Sequence, residues 1–252
     1  MQSKTKKQIP TFSIIIPVLH EQDTINSLIT SLKQLSTKKT IEIIVVDGSE
    51  SKDTINEITE KSVIKLTSQK GRAVQMNKGA KHASAEILIF IHADTRLPKN
   101  GLEIIQETMK NKHLVGGAFS LQIQSKHKLL QTVAAISTLR SQITQAPYGD
   151  QVHFIRKTFF ENIKGYKTMP IMEDVEIMRR IKKNNGKIKI LPHHVITSDR
   201  RWQKEGLLYT NLRNTIIICL YWVGIPAEKL AKFYPPHTPN NKKKKEKNYT
   251  TQ

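Results

Sequence analysis

The sequence predicts an α/β fold in which helices flank a mostly parallel β-sheet. Four apolar runs of strand length occur in the first 92 residues, at 12–16, 41–46, 63–66 and 87–92. The segments between them carry apolar residues at helical spacing, as in residues 25–35 and 71–84. Strands that alternate with helices form βαβ units, and continuous apolar runs are typical of parallel strands buried on both faces.

The second half of the chain is less regular. Residues 114–123 are expected to form a strand that contains a Gly-Gly pair, with further strands at 151–156 and 187–191. Helices are predicted at 129–143, 172–183, 206–223 and from Pro226 to about residue 234. Pro17 is expected to end the first strand, because proline cannot donate a backbone hydrogen bond.

Four regions are expected along the 252 residues. They are a basic flexible N-terminus at 1–10, an α/β domain at 11–204, a helical extension of that domain at 205–234, and a basic disordered tail at 235–252. The net charge of +20 is partly concentrated in Lys4, Lys6, Lys7 and the lysine run at 242–247. Such a charge suits a phosphate-bearing ligand, a nucleic acid or an anionic membrane face.

The cysteine count and the apolar runs indicate the compartment. Cys219 is the single cysteine, so an intramolecular disulfide is excluded and a reducing compartment is favoured. The N-terminus lacks a signal-peptide pattern, and the apolar run at 216–225 is shorter than the roughly 20 residues that span a bilayer. We therefore expect a cytoplasmic protein that is soluble or peripheral to the inner face of a membrane.

Two carboxylates follow two of the predicted strands. Asp47 ends the second strand, and Asp94 follows the fourth, with His92 two positions earlier. The carboxyl ends of parallel strands share one crevice, so these side chains are expected to converge there. A carboxylate at this edge can hold the divalent cation, Mg²⁺ or Mn²⁺, that binds a diphosphate. For either residue alone, the alternative is an ordinary turn aspartate.

Two further candidates lie at predicted helix starts. Arg72 opens the helix at 71–84, where free backbone N–H groups favour an anion. Glu173 and Asp174 lie in the first turn of the helix at 172–183, and one of them is a candidate general base. The alternatives are a solvent-facing arginine and a pair of acids that simply complement the helix dipole.

The remaining candidates lie in predicted loops. Asp150 is placed to bind or orient a substrate. Arg201 and Trp202, preceded by Arg200, combine guanidinium groups with an aromatic face that can cover a diphosphate or stack on a base or a sugar. A basic surface turn is the alternative for this segment.

Several classes of protein are disfavoured by missing motifs. The chain has no GxGxxG or GxxxxGK[ST] phosphate loop, no zinc-type spacing of histidine and cysteine, and no GxSxG element. A basic nucleic-acid-binding α/β protein without transferase activity stays open as an alternative, since it explains the net charge. Aromatic residues make up only 6% of the chain, and no RNA-binding motif is present.

The order of the motifs is more specific than any one of them. It resembles the family-2 glycosyltransferases of the GT-A fold, and among these the arsenosugar-biosynthesis branch, over residues 12–234. The motifs that carry the resemblance are, in order, IIIPVLHE, IIVVDGS, GRAVQMNKGA, FIHADTRLP, YGDQ, MEDVEIMRR and SDRRW.

The resemblance implies an inverting transfer from a nucleotide-diphosphate sugar to an acceptor hydroxyl. Pro17 and Glu21 match the first nucleotide-contacting loop, Asp47 matches the carboxylate that holds the nucleobase, and Arg72 matches a basic residue near the nucleotide. Asp94 matches the last Asp of the DxD metal motif. Asp174 matches the catalytic base, with Glu173 beside it, and Arg201 and Trp202 match a late element near the diphosphate and acceptor.

The chain departs from the family pattern at the metal motif. His92 stands where the first Asp of DxD is expected, and a histidine ligand suits manganese better than calcium. The expected partners are the sugar nucleotide, an acceptor of unknown identity with a lipid-like molecule as one candidate, and an anionic membrane surface through the apolar helix at 207–225 and the basic tail. No nucleic-acid partner is expected from the resemblance.

Overall fold

The computed structural model describes residues 9–35 and 40–234. The predicted basic ends therefore lie almost wholly outside the described residues, since these begin at Ile9 and end at Tyr234. The strands are β1 (Phe12–Val18), β2 (Ile41–Asp47), β3 (Ile64–Thr67), β4 (Ile87–Phe90), β5 (Thr95–Arg96), β6 (Leu114–Gln124), β7 (His153–Arg156) and β8 (Lys187–Ser198).

Ten α-helices occur within the described ranges. They are α1 (Ile25–Leu35), α2 (Asp53–Asn56), α3 (Arg72–His82), α4 (Gly101–Met109), α5 (Lys128–Thr144), α6 (Lys157–Asn162), α7 (Glu173–Lys183), α8 (Arg200–Glu205), α9 (Leu207–Trp222) and α10 (Ala227–Leu230). Two 3₁₀ turns add Gly149–Gln151 and Ala231–Phe233. None of the helices that the structure describes is long and apolar enough to cross a membrane.

All eight strands form one sheet in the order β3-β2-β1-β4-β7-β6-β8-β5. The β1–β2, β1–β4, β2–β3 and β6–β8 pairs are parallel. The β4–β7, β6–β7 and β5–β8 pairs are antiparallel. The predicted α/β fold with a mostly parallel sheet is confirmed.

Helices cover both faces of the sheet, which explains why β1, β2 and β4 carry buried apolar residues on both faces. Ile14 of β1 belongs to a core cluster with α1, α4 and α5, whereas the next residue, Ile15, belongs to a second cluster with α3, α6 and α7. Successive strand residues point to opposite faces, so a strand covered on both sides needs apolar residues at all of them.

The prediction that Pro17 ends the first strand is wrong, because β1 continues to Val18. Hydrogen bonding alternates along a strand: the Ile15 carbonyl accepts from Ile91 on the β4 side, and the Val18 carbonyl accepts from Gly48 on the β2 side. Pro17 shares the direction of Ile15 and faces the β4 side, where the paired residues stop at Ile15. A missing N–H group is tolerated there.

Other boundaries also differ from the sequence prediction. The fourth strand ends at Phe90 rather than residue 92, and this places His92 in a loop. Strand β8 continues to Ser198, with a register shift opposite the Phe119–Ser120 step of β6. Helices α4, α6 and α8 were not predicted, because each is short and lies beside stronger strand or turn signals. Helix α8 also crosses the proposed boundary at 204–205.

Candidate active site

Two adjoining cavities lie beyond the carboxyl ends of β1 and β4. The larger cavity is about 430 Å³ and is lined by Pro17, Val18, Leu19, Glu21, Lys70, Gly71, Gln75, Ala93, Pro170, Arg200 and Ala231. The smaller cavity is about 220 Å³ and is lined by Tyr148, Gly149, Asp150, Met172, Asp174, Thr197, Trp202, Asn214, Ile217 and Ile218. Both cavities share Arg72, His92, Asp94, Ile171, Ser198, Arg201 and Tyr234. Nearly all of the predicted site residues are therefore brought together.

Arg200 joins two of the predicted site carboxylates. Its Nη1 and Nη2 groups donate to the two carboxylate oxygens of Glu21 at 2.7 and 2.5 Å, and its Nε donates to Asp94 Oδ2 at 3.1 Å. The planar fork of arginine suits such bidentate pairing. Of the two adjacent arginines, Arg200 contacts Asp94 directly, whereas the role of Arg201 near the diphosphate stays a prediction.

His92 lies between β4 and β5, where the chain turns across the ends of the strands. Burial, followed by the positive charge of Arg72, lowers the pKa of His92 to about 4. Its imidazole is then neutral at pH 7, which is the form that binds a metal ion. A Cβ atom on Gly149 would lie 3.2 Å from both Cε1 and Nε2 of His92, so glycine permits this close approach.

The described residues contain no group of three or more His, Cys, Asp or Glu side chains that could hold a metal ion. His92 and Asp94 nevertheless line both cavities, and together they offer an imidazole and a carboxylate. Mg²⁺ and similar ions commonly take only one or two protein ligands and complete their coordination with substrate phosphates and water. The two side chains fit that kind of site.

Arg72, which lines both cavities, forms an ion pair with Glu173, which lines neither. Arg72 Nε lies 2.7 Å from Glu173 Oε1, and the exposed fractions of the two side chains are 39% and 3%. Burial raises the pKa of Glu173, and the Arg72 charge offsets part of this effect. Within residues 9–35 and 40–234, Glu173 Oε2 is buried and has no hydrogen-bond partner. Neither cavity is lined by Glu173.

Asp174 lines the smaller cavity. Its direction differs from that of Glu173, because adjacent helix residues point about 100° apart. Its Oδ2 accepts the Gly149 N–H at 2.8 Å, and its Oδ1 accepts the Val175 N–H at 2.8 Å. An ionised carboxylate has about four lone-pair sites, so both oxygens can accept a further proton or hydrogen bond. Backbone amides thus hold Asp174 in one orientation.

Asp150 lies in the same cavity, and its buried Oδ1 has no hydrogen-bond partner among the described residues. Burial and then the nearby Asp174 charge raise the pKa of Asp150 to about 7.

The loop that carries Asp150 and the loop that leads into Asp174 both have unusual backbone conformations. Val152 after the Gly149–Gln151 turn and Met172 before α7 have φ angles of 56° and 68°. Non-glycine residues in this region store strain, which is typical of functional sites.

Asp47 is placed differently from the other predicted residues. It is completely buried and lines neither cavity. Its Oδ1 accepts the Ser49 N–H at 2.8 Å and its Oδ2 accepts the Ile55 N–H at 3.2 Å. These bonds hold the loop between β2 and α2, so the contact between Asp47 and a nucleobase stays a prediction.

Arg201 and Trp202 both line the smaller cavity, and Arg201 also lines the larger one. The Arg201 guanidinium lies over the ring of Tyr234, 4.5 Å from its centroid. Its Nη1 is buried and has no hydrogen-bond partner in the part of the chain that the structure describes. Trp202 donates from Nε1 to Asn211 Oδ1 at 2.9 Å. An unpaired buried guanidinium nitrogen is a ready donor for an anion.

Sequence reasoning missed two lining residues in particular. Gln75 is buried, and its amide donates to the carbonyls of Val18 and Val46 at 2.6 and 2.8 Å, which ties the ends of β1 and β2 together. A polar residue on the otherwise apolar face of α3 was the signal for it. Tyr234 lies 62 positions beyond Met172 and carried no motif that could have found it.

The family model for glycosyl transferase family 2 matches residues 13–160. This range includes the segments of Asp47, Arg72, Asp94 and Asp150 but not those of Asp174 and Arg201. The search of curated proteins found no match.

Solved glycosyltransferases share the fold at low sequence identity. S. aureus TarS 1-349 in complex with UDP has a TM-score of 0.60 at 18% identity, covering 75% of this chain and 60% of that one. Mannosyltransferase PcManGT from Pyrobaculum calidifontis, in complex with GDP-Man and Mn²⁺, has a TM-score of 0.55 at 16% identity, covering 77% and 57%. This chain thus spans less than two thirds of these two proteins.

A third structure matches over more of its length. Glucosyl-3-phosphoglycerate synthase from Mycobacterium tuberculosis, in complex with Mn²⁺, UDP and glucosyl-3-phosphoglycerate, has a TM-score of 0.61 at 15% identity. The match covers 86% of this chain and 81% of that one. At these identities the likeness shows the fold alone.

Proposed function

The chain belongs to glycosyl transferase family 2, and we propose that it transfers a sugar from a nucleotide-diphosphate sugar to an acceptor hydroxyl with inversion at the anomeric carbon. One observation carries the proposal: Arg72, His92, Asp94 and Arg201 line both cavities, whereas Asp174 faces only the smaller one. The groups suited to binding phosphate therefore lie where the two cavities meet. The Asp174 carboxylate lies in the smaller cavity, which is proposed to hold the acceptor. The narrower assignment to the arsenosugar-biosynthesis branch rests on motif order alone and is likewise a proposal.

The larger cavity is proposed to bind the nucleotide. Pro17 and Glu21 lie on its rim, and Arg72 and Arg201 place positive charge where it meets the smaller cavity. Arginine suits phosphate oxygens because of its planar set of donors. UDP and GDP-Man are bound by the structural neighbours described above, which supports a diphosphate ligand here.

His92 and Asp94 are proposed to hold Mg²⁺ or Mn²⁺ together with the donor diphosphate. A bound divalent ion would neutralise charge on the leaving nucleotide diphosphate. Mn²⁺ is present in two of the structural neighbours. Arg72 and Arg201 supply fixed positive charge to the same leaving group.

Asp174 is proposed to be the general base. Its carboxylate accepts the acceptor hydroxyl proton as that oxygen forms a bond to the anomeric carbon. The bond from this carbon to the diphosphate oxygen breaks on the opposite face, and the leaving diphosphate keeps the electron pair. Asp150 is proposed to orient the acceptor, since its buried Oδ1 lacks a partner in the same cavity.

The base is tested with Asp174→Asn, and Asp23→Asn serves as the matched control, because Asp23 is exposed and lines neither cavity. Transfer should be abolished in the first variant while UDP affinity, measured by calorimetry, is retained. The control should keep both. Loss of UDP binding in Asp174→Asn would contradict the assignment. A thermal-shift screen of UDP, GDP, ADP and CMP sugars with and without Mn²⁺ identifies the donor.

The acceptor is proposed to be lipid-like, and the protein peripheral to the cytoplasmic face of a membrane. Helix α9 forms one wall of the smaller cavity through Asn214, Ile217 and Ile218. Its exposed side chains carry no charge and include Leu208, Leu212, Ile216 and Leu220. The exposed side chains of α5 carry one charge, that of Lys128. Exposed apolar faces of this kind mark interaction sites for proteins or membranes.

Flotation with liposomes tests this surface. Wild-type protein should float with vesicles that contain an anionic lipid, and the double variant Leu212→Lys with Ile216→Lys should not. Thr215→Lys on the same helix is the control for added charge. Flotation of the double variant equal to wild type would contradict this interface without affecting the transferase proposal.

A further inference from the structure

Tyr234 occupies the junction of the two cavities. It lines both of them, and its backbone N–H closes the Ala231–Phe233 turn on the Ala231 carbonyl at 3.0 Å. Together with α10, this turn packs on a small apolar cluster that includes Ile171 and Ile217. The C-terminal segment is thereby attached to the loop that leads into Asp174.

Two arginines stack on the Tyr234 ring. The guanidinium carbons of Arg201 and Arg213 lie 4.5 and 5.0 Å from its centroid. Arg213 is 7% exposed and pairs with Glu205 at 2.7 Å, so it is a buried and anchored cation. Both arginines have buried guanidinium nitrogens without a hydrogen-bond partner among the described residues, but only Arg201 lines the two cavities. The ring therefore connects an anchored arginine to one that is available for a ligand.

Tyr234 also lies beside the donor side of the site. It lines both cavities together with Arg72 and Arg201. Two of the positive groups proposed to bind the diphosphate thus have Tyr234 as a common neighbour.

We propose that Tyr234 is a positioning residue for the donor, which holds Arg201 against the diphosphate and separates the sugar from water at the junction of the cavities. This inference rests on the transferase function proposed above. A cation above an aromatic ring is held by the negative face of the ring, so the ring rather than the hydroxyl is the part required. An aromatic side chain between the cavities also excludes water from the anomeric carbon, which limits hydrolysis of the donor.

The test compares Tyr234→Leu, which removes the ring, with Tyr234→Phe, which keeps it. Phe233→Leu is the matched control, because Phe233 is the neighbouring aromatic residue and is 66% exposed. For each full-length protein the donor KM, the kcat, the UDP affinity by calorimetry and the ratio of donor hydrolysis to transfer are measured, with the melting temperature as a check on folding.

Tyr234→Leu should raise the donor KM by about three- to tenfold, in keeping with the strength of a cation–π contact, and should raise the ratio of hydrolysis to transfer. Tyr234→Phe, which keeps the ring, should have the wild-type donor KM and the wild-type ratio of hydrolysis to transfer. Phe233→Leu should leave both quantities unchanged. A lower melting temperature with unchanged KM and hydrolysis ratio would show a merely structural role and overturn the inference. If wild-type protein bound no nucleotide and turned over no sugar nucleotide, the transferase proposal itself would fail.

Discussion

Replacement of Arg72 by methionine should destabilise the protein far more at pH 7 than at pH 5. Arg72 is the partner of Glu173, whose side chain is only 3% exposed. Without the guanidinium, the folded protein must either bury an unpaired carboxylate or protonate it, and protonation is the less costly choice. The pKa of Glu173, which burial already raises, then rises further.

The cost of protonation sets the magnitude. The ordinary pKa of this carboxyl is 4.5, about 2.5 units below pH 7. At about 1.4 kcal/mol per unit, the free energy of unfolding should fall by at most about 3.4 kcal/mol at pH 7 and by about 0.7 kcal/mol at pH 5. The sign follows because a raised acidic pKa in the folded state makes stability decline as the pH increases from the unfolded to the folded pKa.

Urea denaturation at several pH values measures this difference, with Glu173→Gln and the double variant as controls. Glu173→Gln should cost about 1 kcal/mol, because the Arg72 side chain is 39% exposed and water can solvate it. The double variant should lose the pH dependence that Arg72→Met shows. A cost for Glu173→Gln equal to that of Arg72→Met, or a pH-independent cost for Arg72→Met, would refute the reasoning.

Three further predictions concern single positions in the site. Gly149→Ala should weaken Mn²⁺ binding in the presence of UDP, measured by calorimetry, because the new Cβ would lie 3.2 Å from the His92 ring; unchanged affinity would contradict this. Gln75→Leu should lower the free energy of unfolding by about 1–3 kcal/mol, since the carbonyls of Val18 and Val46 each lose one buried hydrogen bond, and a cost near zero in urea denaturation would argue against it. The Asp150 pKa is raised to about 7, so the wild-type protein loses stability as the pH rises from about 4 to about 7, and Asp150→Asn should not. The free energy of unfolding of the variant should therefore gain at most about 4 kcal/mol on that of wild type over this range. Parallel curves of stability against pH would exclude this.

The parallel half of the sheet was predictable because its signals are local. Strands β1, β2 and β4 are mostly apolar runs, and a strand buried on both faces needs such a run whatever its neighbours are. The edge strand β3 is a shorter run that includes the exposed Lys65. Helices α4, α6 and α8 escaped prediction because short helices depend on packing more than on periodicity. The end of β1 was wrongly placed at Pro17. A proline is tolerated within a strand where its missing N–H group faces an unpaired edge, and the sequence does not show which edge of β1 is unpaired there.

In the candidate site, too, some features were visible in the sequence and others depended on the tertiary structure. Asp47 and Asp94 looked equivalent in the sequence, since each follows a parallel strand. In the structure the Asp47 oxygens accept backbone N–H groups, whereas Asp94 lines both cavities and accepts from Arg200. No local pattern distinguishes a carboxylate that holds its own loop from one that faces a cavity.

The sequence by itself determined the βαβ core, the placement of acidic and basic residues at strand ends and helix starts, and the motif order that identified the family. Tertiary structure alone decided which of these side chains share a cavity. Arg200 meets Glu21 across 179 positions and Asp94 across 106, and Tyr234 reaches the site without any motif. Secondary structure follows from periodicities within about ten residues, whereas the direction of a side chain into a cavity depends on the packing of segments far apart in the chain.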